Sequence, residues 1–296
     1  MTAPDWIAVD WGTTRLRAWA MRGTDPLAEA RAETGMNAIP PGGFEAALLD
    51  LVGGWSLAPA TPVIACGMVG ARQGWVEAPY RPVPCPPLGG VPVAAHCDDP
   101  RLNVRIVPGL SQSAPPDVMR GEETQIAGFL SLNPDFDGVV CLPGSHCKWV
   151  HVSAGEVVSF QTAMTGELFA ALSRHTVLRH SIGDGWDDDA FGDAVSTALS
   201  RPERLATGLF GLRAEGLLDG LAPASATARL SGLLIGMELA ATRAYWLGRA
   251  VALIGAPDLC RHYAAALQAQ GVTPMLTRAD TTTLAGLAAA RRTVAP

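Results

Sequence analysis

Two short stretches carry residue types that could grip phosphate. The first is Asp10-Trp11-Gly12-Thr13-Thr14, inside WIAVDWGTTRLRAWAM at residues 6–21. The second is Gly144-Ser145-His146, inside GVVCLPGSHCKWVHV at residues 138–152. Both read as an apolar strand, a Gly-hydroxyl turn, a basic residue and a Trp-bearing strand. A glycine lets the backbone approach an anion and permits unusual φ/ψ, successive N–H groups make an anion-binding nest, and hydroxyls donate to phosphate oxygens. Asp10, at the end of a buried strand, could hold a hydrated Mg²⁺ that bridges phosphates. Aligning Gly12 with Gly144 pairs Asp10 with Leu142, so only the first copy keeps an acid. Two such hairpins facing one another would clamp a polyphosphate, and only one needs the metal carboxylate.

Each stretch has a plainer reading. Asp and Gly are ordinary turn residues, so residues 10–14 also make a simple hairpin. Lys148 could neutralise phosphate charge or serve its strand structurally. A third segment, VALIGAPDLCRHYAAAL at residues 251–267, runs a strand into Gly255-Ala256 and a helix beginning at Pro257. That glycine turn could lie against a flat adenosine or be an ordinary strand-to-helix loop. Neither GxxxxGK[ST] nor a post-strand GxGxxG occurs, which disfavours a P-loop or Rossmann cofactor site. Cys141, His146, Cys147 and His151 have a zinc-like spacing, but the outer two read as parts of strands flanking a turn. An acyl-transfer or metal enzyme using Cys147 and His146 is a competing reading.

The elements that must hold these residues alternate between short strands and longer helices. Strands are expected at 6–10, 16–21, 62–66, 104–107, 139–142, 148–152, 157–160, 251–254 and 273–276. Helices are expected at 44–52, 122–132, 166–175, 227–247, 257–270 and 281–291. This order implies an α/β protein. We divide it into residues 1–120 and 121–296, with the last helix free to return to the first domain. GDGWDDDAF, residues 183–191, reads as a solvated acidic loop, with a substrate-touching lid as the second reading.

The chain has 296 residues, 48% of them hydrophobic, enough for two domains with real cores. Its net charge of −6 gives no footprint for nucleic acid or for a membrane surface. No secretory signal or membrane-spanning run is visible, and the six cysteines are scattered, so a cytoplasmic protein with reduced thiols is expected. The oligomeric state stays open, with a homodimer as one candidate.

The two hairpins and the Gly255 turn, in this order, resemble the phosphate-1, phosphate-2 and adenosine motifs of the sugar kinase and actin-like ATPase superfamily. DWGTTRLRAW, MRGEETQIAGFL, LPGSHCKWV and TAMTGELFAALSRHTVL together resemble the 2-dehydro-3-deoxygalactonokinase family. The resemblance spans residues 6–290. It implies two ribonuclease-H-like (actin-like ATPase) domains around a central nucleotide cleft. It further implies ATP- and Mg²⁺-dependent phosphorylation of 2-dehydro-3-deoxy-D-galactonate at its C6 hydroxyl. The alternatives are the gluconate-derived keto acid as acceptor, or a non-sugar ATPase of the same fold.

Roles follow from that resemblance. Gly12, Thr13, Thr14, Gly144, Ser145, His146 and Lys148 would hold phosphates, Asp10 the metal, and Gly255 and Ala256 the adenosine. Glu122 or Glu123, at the start of a helix where relatives place a carboxylate facing the acceptor, would be the base, with Glu123 slightly favoured. About 100° separates adjacent residues on a helix, so one of the two should face the site. The substrate carboxylate calls for a cation, and Arg17, Arg120 and Arg174 are the candidates, Arg120 first. Thr165 suits a helix N-cap and Glu167 a sugar hydroxyl.

Overall fold

A computed structural model describes residues 3–294. The chain divides into two compact units. Met1–Asp137, Val152–Ser159 and Ala279–Pro296 form the first, and Gly138–His151 with Phe160–Arg278 form the second.

The first unit opens with β1 (Trp6–Trp11), β2 (Leu16–Arg22) and β3 (Asp25–Ala32), followed by α1 (Phe44–Val52) and β4 (Thr61–Cys66). Then come β5 (Arg81–Pro82), β6 (Val93–Ala94), β7 (Leu102–Ile106), β8 (Leu110–Ser113), β9 (Pro116–Met119) and α2 (Glu122–Leu132). Six strands make a sheet in the order β3-β2-β1-β4-β7-β6, and β5-β8-β9 make a small second one. β1 runs antiparallel to β2 and parallel to β4, which is parallel to β7. Alternation along β1 sends Ile7, Val9 and Trp11 to one face, where they meet Phe44, Leu48 and Val52 of α1. Trp6 and Ala8 face the other way, onto Leu287 and Ala288 of the final helix. Trp6 and Trp11 are fully buried, and an aromatic of that size stabilises by roughly 4–6 kcal/mol when removed from water.

The second unit begins with β10 (Gly138–Leu142), β11 (Cys147–Ser153) and β12 (Glu156–Ala163), the far ends of the last two counting with the first unit. Helices α3 (Thr165–His175), α4 (Asp188–Ser200), α5 (Leu205–Leu218), α6 (Pro223–Ala241) and α7 (Arg243–Trp246) follow. Next are β13 (Val251–Gly255), α8 (Pro257–Gln268) and β14 (Met275–Arg278). The sheet order is β12-β11-β10-β13-β14. Counting from its first strand, this is the order of β3-β2-β1-β4-β7, so the echo between residues 6–21 and 138–152 is a repeat of whole topology. The fold is the duplicated ribonuclease-H-like one of actin-like ATPases and sugar kinases.

The final helix, α9 (Ala279–Arg292), belongs to the first unit, and so does α2, which a division at 120/121 would assign to the second. Two glycines explain this. A Cβ on Gly128 would lie 1.8 Å from the Thr282 carbonyl oxygen, and one on Gly286 would lie 1.9 Å from that of Thr124. The helices therefore cross backbone to backbone, and α2 is bound to α9 rather than to the strands that follow it.

Other expectations need correction. The acidic stretch at 183–191 is no loop throughout, because Asp187 caps α4 by accepting from the Ala190 N–H at 3.0 Å, and Asp188 and Asp189 fill its first turn. Acids there favour the helix N-terminus. The helix expected at 227–247 breaks at Thr242 into α6 and α7 and starts earlier, at Pro223. α5 carries three glycines that punctuate its pattern like turns, and β3 is a half-exposed edge strand of weak β-formers made by pairing with β2.

Candidate active site

The β1–β2 turn presents Gly12 partly exposed and Thr13 and Thr14 exposed. Its rear is fixed from within. Met36 and Asn37 donate N–H groups to the Gly12 and Thr13 carbonyl oxygens at 3.0 and 3.2 Å, and a Cβ on Gly35 would sit 2.3 Å from Thr14. Trp11, stacked edge-on to Phe44 at 5.4 Å, anchors the strand below. Neither Gly12 nor Gly144 has a positive φ, so conformational freedom is not what these positions use. The nearest atom to a Cβ on either is 3.7 or 4.0 Å away, which leaves open space over both turns.

Asp10 is the penultimate residue of β1, two before Gly12. Its Oδ2 accepts from Arg17 Nη2 at 2.5 Å, and Arg17 Nη1 is also bound by Asp280, the second residue of α9. Arg17 is thus a tether between two carboxylates, not an open cation for substrate. Asp10 Oδ1 faces the Cys66 thiol at 3.9 Å. Burial drives that thiol well above its ordinary range, with the charges of Asp10 and Glu123 adding to the effect. Among the described residues no group of three or more His, Cys, Asp or Glu could hold a metal. A single carboxylate oxygen beside an open hydroxyl turn fits Mg²⁺, which keeps waters and takes its other ligands from phosphate.

Two glycines with positive φ bring α2 beside this carboxylate. Gly67 (φ 93°) passes so close to Trp11 that a Cβ would lie 2.7 Å from its carbonyl oxygen. Gly121 (φ 102°), just ahead of α2, would put a Cβ 3.3 Å from the Gly67 Cα. The two acids after Gly121 then diverge. Glu123 is fully buried, accepting from the Gly121 N–H at 2.6 Å and the Thr124 hydroxyl at 2.9 Å. Burial, with Glu122 second, pushes its pKa up to about 8. Glu122 is half-buried, with one oxygen on the Arg120 N–H at 3.0 Å. Arg120 is buried under Tyr80, whose ring lies 4.4 Å from the guanidinium, and donates Nη2 to the Ala78 carbonyl at 2.6 Å. Its Nε and Nη1 are buried without a hydrogen-bond partner.

In the second unit the β10–β11 turn repeats the first in its exposure, with Gly144 half-buried and Ser145 and His146 exposed. The start of α3 backs it. Glu167 donates its N–H to the Ser145 carbonyl at 3.0 Å, and a Cβ on Gly166 would lie 2.3 Å from the Gly144 oxygen. His146 Nε2 and Glu167 Oε2 stand 2.6 Å apart, so Glu167 is engaged with the turn itself. Thr165 is the first helical residue rather than the cap, which is Met164, and its hydroxyl binds Glu238. Lys148 is buried and donates to Thr162 at 2.7 Å, while Arg174 is exposed in the last turn of α3.

A hollow of about 290 Å³ opens beside this turn, with Gly144, Gly166, Phe169, Trp186, Leu259 and His262 in its walls. Trp186 stacks on His262 at 3.9 Å between centroids. Burial, then Arg261, holds the His262 pKa below its usual value, which favours the neutral ring at pH 7. Gly255 ends β13 and Ala256 is the N-cap of α8, and neither lines the hollow; side chains along α8 do. Trp186, His262 and Glu238 were missed at the level of sequence. The signal available was Trp in an acidic stretch and a lone acid inside an apolar helix.

Comparison with known proteins places the whole chain. A family described as 2-keto-3-deoxy-galactonokinase matches residues 10–290. "Probable 2-dehydro-3-deoxygalactonokinase" of Rhizobium meliloti (strain 1021) is 40% identical over 304 residues, covering 100% of this chain and 99% of its own. "2-dehydro-3-deoxygalactonokinase" of Escherichia coli (strain K12) is 36% identical over 300 residues, covering 98% of each. A crystal structure of a Sinorhizobium meliloti relative superposes with a TM-score of 0.91 at 40% identity, over 98% of this chain and 99% of that one. Component A of the (R)-2-hydroxyglutaryl-CoA dehydratase of Acidaminococcus fermentans, 11% identical with a TM-score of 0.56 over 97% and 98% of the two chains, shares the fold. With the full span of both motif-bearing units matched, the chain belongs to the 2-keto-3-deoxy-galactonokinase family.

Proposed function

We propose that this protein transfers the terminal phosphoryl group of ATP to the C6 hydroxyl of 2-dehydro-3-deoxy-D-galactonate, yielding the 6-phosphate. The family match over residues 10–290 carries this reading. Phosphoryl transfer asks a protein for positioning and charge compensation more than for covalent chemistry. The second unit offers a hollow with stacked Trp186 and His262 for a nucleobase, beside the open turn at Gly144, Ser145 and His146 for phosphate. The first offers the Gly12, Thr13 and Thr14 turn and Asp10. When bound, Mg²⁺ would neutralise phosphate charge, and Asp10 is the residue that would hold it, through water. Arg17 orients the Asp10 carboxylate for that task by donating to its Oδ2.

Glu122 is the base in this reading. Full burial withdraws Glu123 from any acceptor, and its raised pKa keeps it protonated at pH 7. Glu122 is the accessible member of the pair and accepts the proton of the attacking hydroxyl. Arg120 is buried as well, with its unspent Nε and Nη1 shut off from solvent, so the burial that withdraws Glu123 also withdraws these donors from the acceptor's carboxylate. The six cysteines are free, which fits a reducing cytoplasm.

ADP release in a coupled assay tests the reading, with the galactonate-derived acid, its gluconate-derived epimer or no acceptor. Release should depend on acceptor and favour the galactonate series, and Asp10→Asn should lower it by several orders of magnitude with circular dichroism unchanged. Equal release without acceptor would make the protein an ATPase, preference for the epimer would reassign the substrate, and a near-normal Asp10→Asn would remove the metal role.

A further inference from the structure

Glu238 lies near the end of α6, among apolar and small residues, and is 1% exposed. Its place is set by the backbone. Cβ atoms on Gly232 and Gly236 would each lie 2.5 Å from a carbonyl oxygen of α4, those of Phe191 and Val195, so α6 cannot shift without breaking that contact. Among the described residues no cation pairs with the carboxylate. Neutral donors converge on it instead: the Cys147 thiol, a weak one, and three stronger groups. Trp149 Nε1 donates to Oε1 at 2.6 Å, and Tyr263 OH donates to Oε2 at 2.7 Å. The Thr165 hydroxyl donates to the same Oε2.

Those donors come from the elements that build the proposed nucleotide site. Trp149 is on β11, the strand leaving the Gly144 turn. Thr165 opens α3, whose next residue, Gly166, abuts the Gly144 carbonyl oxygen. Tyr263 is on α8, and both it and Thr165 line the hollow. Hydrogen bonds from neutral donors to a carboxylate are short and strong. An isolated buried carboxylate is costly, and an apolar residue at 238 would strand three donors. Directional bonds fix mutual placement in a way that nonpolar contact does not.

We propose that Glu238 is a positioning residue for nucleotide binding: one carboxylate sets the exit strand of the phosphate turn, the helix behind it and a wall of the hollow in register. This rests on the nucleotide reading of the hollow. Glu238→Gln keeps the volume but offers one acceptor oxygen, and its amide nitrogen cannot accept. In the intact chain, ADP affinity by calorimetry and the KM for ATP should weaken about tenfold, the size of one lost hydrogen bond to a charged group. The KM for the keto acid should stay within about twofold, a split that general loosening would not give. Hydrogen exchange at the Glu167 amide, which is bonded to the Ser145 carbonyl, should quicken. If Glu238→Gln does not fold, Thr165→Val and Tyr263→Phe each remove one donor and should show the same split in smaller measure. Unchanged ADP affinity, an equal rise in both KM values, or unaltered exchange at Glu167 would overturn the proposal. Parent protein that binds no ADP would instead refute the nucleotide reading, and this proposal with it.

Discussion

At pH 8.5, Glu123→Gln should make the protein more stable. Glu123 is fully buried beside Glu122 and takes hydrogen bonds from the Gly121 N–H and the Thr124 hydroxyl. These bonds do not offset its desolvation, and the pKa rises from 4.5 to about 8. An acid with a raised pKa binds more protons folded than unfolded. Between pH 4.5 and about 8 the folded state holds a proton that the unfolded chain has lost, so stability falls as pH rises. Below that window both states are protonated and the contribution is fully present; above it the loss is complete. The gap between the two pKa values, at 1.36 kcal/mol per unit, sets the full loss at about 5 kcal/mol, with roughly 3 kcal/mol gone by pH 7. Glutamine mimics the protonated acid, with its oxygen for the Gly121 N–H and its amide for a reoriented Thr124 hydroxyl. Urea unfolding at pH 5, 7 and 8.5 should therefore show the variant gaining on the parent as pH rises. Parallel pH curves would mean that Glu123 is ionised within the fold, and the burial argument would fail. The same variant separates the two acids. Glu123→Gln should retain turnover and Glu122→Gln should lose it; the reverse result would make Glu123 the base.

Two further perturbations probe the scaffold and the hollow. Gly286→Ala would place a Cβ 1.9 Å from the Thr124 carbonyl oxygen. The α2–α9 crossing must open to accept it, and thermal unfolding should register a loss of roughly 3 kcal/mol or more, against an unshifted Tm if the close approach is wrong. Trp186→Ala removes the ring stacked on His262 at 3.9 Å. ADP should then bind about tenfold more weakly by calorimetry, a stacking loss of the ordinary size, and an unchanged affinity would take the nucleobase out of this hollow.

The sequence by itself determined the buried central strands, the duplicated hairpins and the family, while β3, β5, β6, β8 and β9 went unread. Strands β1, β2, β10 and β11 were legible because apolar and β-branched runs stopped at Gly, Pro or Asp, a local signal that needs no partner. α1 and α2 fell at their expected bounds because a glycine, Gly43 or Gly121, stands just ahead of each, and that signal is also local. The phosphate turns could be read as candidates because short range chemistry (glycine, hydroxyl, acid) sits within five residues. What lay between distant residues was decided only by tertiary structure. Arg17 reads as a free cation until Asp10 and Asp280, 263 positions away, both close on it. Glu122 and Glu123 are chemically the same in the sequence, and only the fold buries Glu123 fully and raises its pKa while leaving Glu122 half-exposed. α2 joins the first unit because two glycines far apart in the chain remove the Cβ atoms that would hold α2 and α9 apart. Ionisation, burial and backbone approach depend on what surrounds a group, and the fold supplies those surroundings from parts of the chain that no local pattern connects.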